Sequence, residues 1–592
     1  MVRVSIGWVA LTALTALTAL SACDTESGAA AGDADAGPAG GQGGGRADLG
    51  TDSAVGGGSG TGGTSSPDGA VPGADAAIGP APDAATLAFD AAPGPSPDAE
   101  IVCAPGIPAD CADRTTQRVC AEGGTSFVDV ACPAGAACRA GECVSECQIE
   151  GKYPAYIGCS YWSLDLDNYP DPFGDPSAIP HAVVIGNASA AQATVTITGP
   201  VGGPPLPGAQ FSIPQGELRV YTFPRFDVDG TGISDRAFEI RSDWPVVAYQ
   251  FNPLNNVGVA SNDGTVLLPD EALGHEYFAF SWPTAPLAAL GLPSQHGYFT
   301  VVATREGQTD VTITVNAAVA AGPGVPAMAE GETATFALQR GQVLNIEADG
   351  SSLAAGNWDL TGSHIVASQP VAVFGGHEEA VVGDGCCAEH LEHQLYPANT
   401  WGAHYLAAHS EPRGGSMDVW RILAREDATT VTTDPPQPGV EGRVLARGEW
   451  VEISAPDSFE IIADKPVSVA QYLASQETTV DFIGDPALIM AVPVEQYRRS
   501  YLVLTPADYD ENWLTVIRPI GQVVFLDGEP VDDGAFAAIG AGGYEFAWVP
   551  VTPGPHALLG ETPFGLIAIG YARAVSYGLA AGLDLVPRVP GE

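Results

Sequence analysis

The chain has 592 residues, with 71 acidic against 23 basic side chains and a formal net charge of −48. That balance excludes nucleic acid as a partner, because phosphates need basic neutralisation, and it disfavours direct docking on anionic lipid. The length and a 45% hydrophobic content are enough for several packed domains. The acidity reads first as a solubility device, with Ca²⁺ as a compatible cation and no other cofactor expected.

The first element is an export signal. Met1-Val2-Arg3 supplies one positive charge, an apolar run extends to Leu20, and Leu20-Ser21-Ala22-Cys23 places small residues at the cut. The run is short for a membrane-spanning helix. A cysteine directly after small residues resembles the lipobox of bacterial lipoproteins, which implies a lipid on Cys23. Residues 1–22 are therefore read as a signal peptide, and the membrane is expected as a partner through the N-terminal lipid.

Residues 23–101 are nearly all Gly, Ala, Pro, Ser, Thr and Asp. Almost no apolar side chain there is large enough to build a core and offset the entropy of ordering, so a disordered tether is expected. A Gly-rich coil of this length has an end-to-end distance on the order of 50 Å.

Residues 102–147 form a cysteine-rich module holding Cys103, Cys111, Cys120, Cys132, Cys138, Cys143 and Cys147, with Cys159 close behind. In an exported chain this density predicts a disulfide framework, because so short a segment cannot hold itself by apolar burial. Sequence does not choose among the pairings. No histidine and no pair of CxxC knuckles lies in the module, which argues against zinc.

After Cys159 the chain reads as strands. Ala193–Thr198 and Asp310–Val315 alternate apolar and polar residues with period two, and Asp527-Gly528 marks a hairpin turn. A repeat appears as well. One phrase, a polar pair followed by Pro and an apolar strand, recurs at Pro245, Pro370, Pro466 and more faintly at Pro563. A second phrase recurs as Pro269/Leu273/Tyr277, Pro397/Trp401/Tyr405 and Pro493/Tyr497/Tyr501. Both advance by roughly 95 to 130 residues. The bulky residue and the tyrosine are expected to pack at a repeated corner. The fold expected is all-β: four tandem β-sandwich-like units over 148–280, 281–405, 406–500 and 501–592, either in a row or closed into a ring or propeller-like array.

Several phrases together resemble the IgGFc-binding protein N-terminal domain family. They are Gly158-Cys-Ser-Tyr-Trp-Ser-Leu-Asp-Leu-Asp-Asn168, Ala248-Tyr-Gln-Phe-Asn-Pro-Leu254, Ser261-Asn-Asp-Gly-Thr-Val-Leu-Leu-Pro269, Val373-Phe-Gly-Gly376, Cys386-Cys-Ala-Glu-His-Leu-Glu-His-Gln-Leu395 and Ser576-Tyr-Gly578. The resemblance implies an extracellular binding or structural role and brings no catalytic residues.

Two stretches invite a metal reading. His377, Glu378, Glu379, Cys386, Cys387, Glu389, His390, Glu392 and His393 have the residue types of a zinc site. Their spacing is not that of a metalloprotease helix, since His390 and His393 stand three apart rather than four. A disulfide-pinned loop is the favoured reading, with Cys386 and Cys387 joined to each other or to Cys147 and Cys159. Asp227, Asp229 and Asp235, with Gly230 and Gly232 allowing a tight turn, resemble an acidic calcium loop. Asp165, Asp167 and Asn168 are a second such stretch. Neither a GxSxG elbow nor a phosphate loop occurs.

The reading is thus a lipid-anchored cell-envelope protein, expected at the outer membrane and exposed on the surface. Its role is a non-catalytic one in binding or adhesion, with an extracellular protein or glycan as ligand. The alternatives are a structural envelope protein and a metal-dependent hydrolase.

Overall fold

The computed structural model describes residues 103–588, apart from 105, 114–115, 123–125, 134, 140, 148–153, 170–175, 190, 201, 255–260, 353–356, 384–386, 412, 414–416 and 477–482. Cys23, the signal and tether segments and Cys386 lie outside the described residues.

The protein is all-β, and its large region consists of four related sheets. Each is built on one long strand: Phe238–Phe251, His364–Ala380, Phe459–Tyr472 and Gly554–Ala572. Each long strand changes partners midway. In the first unit, residues 238–242 pair with Gly158–Ser163 and Ala193–Thr198, whereas 247–251 pair with Ala182–Gly186 and, at the end, Gly264–Val266. The same switch occurs in the other three. The repeated proline sits at the switch, where its missing N–H interrupts the ladder. The sheet is thereby folded into two halves that share one strand.

The second repeated phrase meets the first at this point. Tyr161 donates to the carbonyl of Val246 at 2.5 Å, Tyr277 to Val371 at 2.8 Å and Tyr405 to Val467 at 2.6 Å, and Tyr501 does the same to Phe564. In every unit the acceptor is the residue after the repeated proline. The two phrases advance together because they touch.

The units close into a ring. Four short strands, Gly264–Val266, Glu389–Gln394, Leu488–Met490 and Val575–Ala580, lie against one another around a common axis. The fourth unit returns to the first: the Tyr156 amide donates to Leu583 at 3.0 Å, Leu585 to Pro154 at 2.7 Å, and the Tyr249 hydroxyl to Ala581 at 2.7 Å. The largest apolar cluster draws on all four units, from Tyr156 to Leu585. At the axis the Asp263 carboxylate accepts from its own neighbour Gly264 (2.8 Å), from Glu392 (3.1 Å) in the second unit, from Leu488 (2.9 Å) in the third and from Gly578 (3.4 Å) in the fourth. One buried side chain thus joins all four units.

The cysteine module is a three-stranded sheet plus a hairpin. It is held by Cys103–Cys120, Cys111–Cys138 and Cys132–Cys143. Cys147 pairs with Cys159, which staples the module to the first strand of the ring and removes both thiols as partners for the Cys386-Cys387 pair. Cys387 is itself disulfide-bonded and has a positive φ of 73°. Asp527 and Gly528 also have positive φ, 52° and 90°, and join Val524–Leu526 to Glu529–Pro530 as the expected hairpin. Among the described residues, no helix is long and apolar enough to cross a membrane.

A buried carboxylate cluster as the candidate functional site

The two acidic stretches singled out in sequence come together. The segment after Ser163 runs beside the 226–230 loop: Phe226 donates its amide to the Asp165 carboxylate at 2.8 Å, Val228 to the Asp165 carbonyl at 2.7 Å, and Gly230 to the Asp167 carboxylate at 2.9 Å. The next strand, Gly232–Ser234, leaves the first unit and pairs with Val343–Glu347 of the second. Glu347 is thereby brought to Asp167, and the long strand His364–Ala380 adds Glu378.

Asp167, Glu347 and Glu378 are all buried, and one carboxylate oxygen from each lies within 4.8 Å of the other two. Each has few donors. Asp167 takes the Gly230 amide, Glu347 takes the Asn345 side chain at 3.2 Å, and Glu378 takes the His296 amide at 2.6 Å. Burial pushes the Asp167 and Glu378 carboxyls well above the ordinary range, and Glu347 up to about 7, with neighbouring negative charge adding to each. The charges that act most strongly on the three are all acidic, among them exposed Asp229.

Several other buried acids have a cation beside them. Asp270 has Arg305, Asp359 has Arg421, and Glu239 has Arg241 and Arg340. Asp263 has main-chain amides instead.

Beside the cluster, Glu389–Gln394 pairs with the long strand in the register His377↔Leu391 and Ala380↔Glu389. Strand alternation divides the zinc-like residues between two faces. Glu389 faces the ring axis, where its carboxylate accepts from the amides of Asn262 (2.8 Å) and Ser576 (3.2 Å). Glu392 faces the first unit, where Gln250 donates to it at 3.2 Å. Burial raises Glu392 to about 8 and lowers His390 to about 3 and His393 to about 4. The His390 ring is buried against the main chain of Glu378 and Asp167, with its Nε2 3.6 Å from the Glu392 carboxylate. Asp165 stays below its ordinary value despite burial, because His181 stands 3.5 Å away.

The three aspartates expected as a calcium loop separate. Asp229 is exposed, and its charge acts on all three acids of the cluster. Asp227 pairs with Arg225 at 2.7 Å and faces Asp165, which with burial raises it to about 6. Asp235 is exposed and does not join the group. Sequence reading missed Glu347. Its signal was a lone acid closing Val343–Glu347, a strand that is otherwise almost wholly apolar and buried throughout.

Comparison with known proteins places this ring among relatives. Residues 263–570, just over half of the chain, match the family model described as IgGFc binding protein. The human IgGFc-binding protein is 28% identical over 367 residues, which are 60% of this chain and 6% of that protein. The chain thus spans a small part of its relative's length. A pilus adhesin, SpaC from Lactobacillus rhamnosus GG in its open conformation, is 9% identical, covering 69% of this chain and 57% of its own. Its TM-score of 0.09 carries no fold argument.

Proposed function

Because the chain belongs to the IgGFc binding protein family through residues 263–570, we propose that it is a non-catalytic binding or adhesion protein held at the cell envelope by a lipid on Cys23. The family membership carries the binding reading. The human relative is named for binding the Fc part of IgG, and the ligand class proposed here is an extracellular protein or glycan. The Leu20-Ser21-Ala22-Cys23 layout supports export and lipidation, and the Gly/Ala/Pro-rich stretch that follows supports a spacer between membrane and ring. A closed ring, with the cysteine module stapled to it through Cys147–Cys159, suits a rigid platform for loops that meet a ligand.

The test has two arms. Mass spectrometry of the mature protein reads the N-terminus: a diacylglyceryl-modified Cys23 is expected, and an unmodified terminus contradicts the anchor. Binding of intact cells to immobilised glycoprotein, polysaccharide and antibody Fc is then compared with that of a deletion strain. Lost adherence with an undamaged envelope is expected. Equal adherence on every surface, with a leaky envelope in the deletion strain, favours a structural role.

A further inference from the structure

We propose that the outer face and edge groove of the fourth unit form the ligand-docking surface, and that the ligand is an extended basic segment of an extracellular protein. The inference rests on the binding role proposed above and names the unit that performs it.

The repeat shows how this unit differs from the other three. Arg241, Val366, Ile462 and Leu559 each stand four residues before the repeated proline, exposed on the outer face of a long strand. Across the ladder the first three face threonines: Thr196, Thr312 and Thr432. Leu559 faces Phe525 instead. In this unit alone a short polar partner is thus replaced by an aromatic one. Leu559 is 39% exposed, and Val523, two residues before Phe525, is 36% exposed. The added apolar surface is therefore left open to solvent rather than packed in the core.

Pro530 pairs with Phe525 and carries this surface to a groove of about 290 Å³. Its floor is made by Leu526, Pro530, Val531, Trp548 and Val549. Tyr544–Pro550 pairs with Ala537–Ile539 only through Tyr544–Phe546. The edge at Trp548 therefore has no strand partner on that side among the described residues. The Val551 amide donates to Asn512 at 2.9 Å across the other side of the strand, so by alternation the Trp548 main chain faces the open side. An extended segment can add its own main chain at such an edge.

The rim sets the charge of the occupant. Glu529 and Asp532 line the groove and are exposed, and neither has an ion-pair partner among the described residues. The acids around them are engaged: Asp527 with His556, and Asp533 and Glu545 with Arg518. An arginine or lysine would lay its apolar stem on the floor beside Trp548 and turn its charged head to the rim carboxylates. The net charge of −48 steers such a partner toward the chain. A glycan is disfavoured, because a hydroxyl-rich ligand needs several placed polar groups. No Asn, Gln, Ser or Thr lines the groove, and the Trp548 indole already donates to the His409 carbonyl at 2.9 Å.

The test uses the full chain and three fluorescent probes, read by anisotropy at physiological salt: an alternating arginine–valine peptide, an alternating serine–valine peptide and a dextran oligosaccharide. Only the arginine–valine peptide is expected to bind. Phe525→Thr, which restores the residue of the other units, and Glu529→Gln are each expected to weaken that binding about tenfold, as for loss of an interface anchor. Glu529→Gln alters an exposed side chain and leaves the fold intact. Matching changes on other units, Ile462→Thr and Glu330→Gln, are expected to leave binding unchanged. No binding by wild type, undiminished binding in both fourth-unit variants, or an equal loss in Glu330→Gln overturns the surface. Dextran binding that Phe525→Thr abolishes overturns the basic protein ligand. In intact cells, Phe525→Thr is expected to lose the adherence that the deletion strain loses. Adherence kept in Phe525→Thr but lost in the deletion strain overturns this surface and leaves the binding role standing. Adherence unaffected by the deletion overturns both.

Discussion

The hydroxyl of Tyr277 donates to the carbonyl of Val371 at 2.8 Å and accepts from the amide of Gly274 at 2.8 Å. One phenol therefore satisfies two main-chain groups where the ladder is interrupted beside Pro370. Both partners are buried, so removing the oxygen leaves an orphaned carbonyl and an orphaned amide. Tyr277→Phe should cost about 1–3 kcal/mol of stability, read from chemical denaturation of the full chain. Tyr405→Phe should behave alike, since its hydroxyl makes the same pair of bonds to Val467 and Gly402. Unchanged stability in both variants would show that the corner is held by ring packing alone.

Arg421 is the clamp between the second and third units. It is fully buried, ion-pairs with Asp359 and Glu452 at 3.0 Å each, donates to the Ser281 carbonyl at 2.7 Å, and lies over the rings of Trp282 and Trp450. Arg421→Met keeps much of the volume but leaves buried Asp359 without its cation. The expected loss is about 3–5 kcal/mol, and Asp359→Asn in the same background should recover part of it. A neutral Arg421→Met would contradict the clamp.

Glu276 gives the same interface a pH dependence. Hydrogen bonds from His364, Arg425 and Arg447 hold its carboxyl at about 2 against the opposing effect of burial, from an ordinary value of 4.5. A depressed carboxylate contributes stability that is fully present above pH 4.5 and is lost as pH falls from there to about 2. Glu276→Gln should therefore melt below wild type at pH 7, with the difference closing across that window. A constant difference down to pH 2 would contradict the assignment.

Asp485 works in the opposite direction. Burial raises its carboxyl from 3.8 to about 8, opposed by the Gln476 amide and Arg413. A raised acid costs nothing while protonated in both states. Its penalty grows as pH rises from about 3.8 to about 8 and is constant beyond. Asp485→Asn should flatten the decline of stability in that range, measured by melting temperature against pH. A decline as steep as that of wild type would show that other buried acids set it.

The repeats were legible in sequence because they are local: Pro followed by an apolar strand, and Tyr at a fixed distance from a second Pro. Their contact was not, since Tyr277 and Val371 are 94 residues apart and nothing in either phrase names the other. The first copy of the corner was missed because Tyr161 lacks the spaced proline. The signal it shares is Gly-x-x-Tyr, at Gly158, Gly274 and Gly402, with Arg498 standing in the fourth. Ring closure was equally hidden, because a row and a ring have the same alternation along each strand. The carboxylate cluster was half legible. Asp167 and Glu378 stood out as acids in unusual runs, but only the sheet pairing of Gly232–Ser234 with Val343–Glu347 brings Glu347 between them.

The closed ring itself is tested most directly by amide hydrogen exchange at its seam. The Tyr156 amide is bonded to Leu583 and the Leu585 amide to Pro154. Peptides covering residues 154–157 and 583–586 should exchange as slowly as the central strands of the four sheets. Exchange of both peptides at free-chain rates, while those sheets remain protected, would mean that the units form an open row.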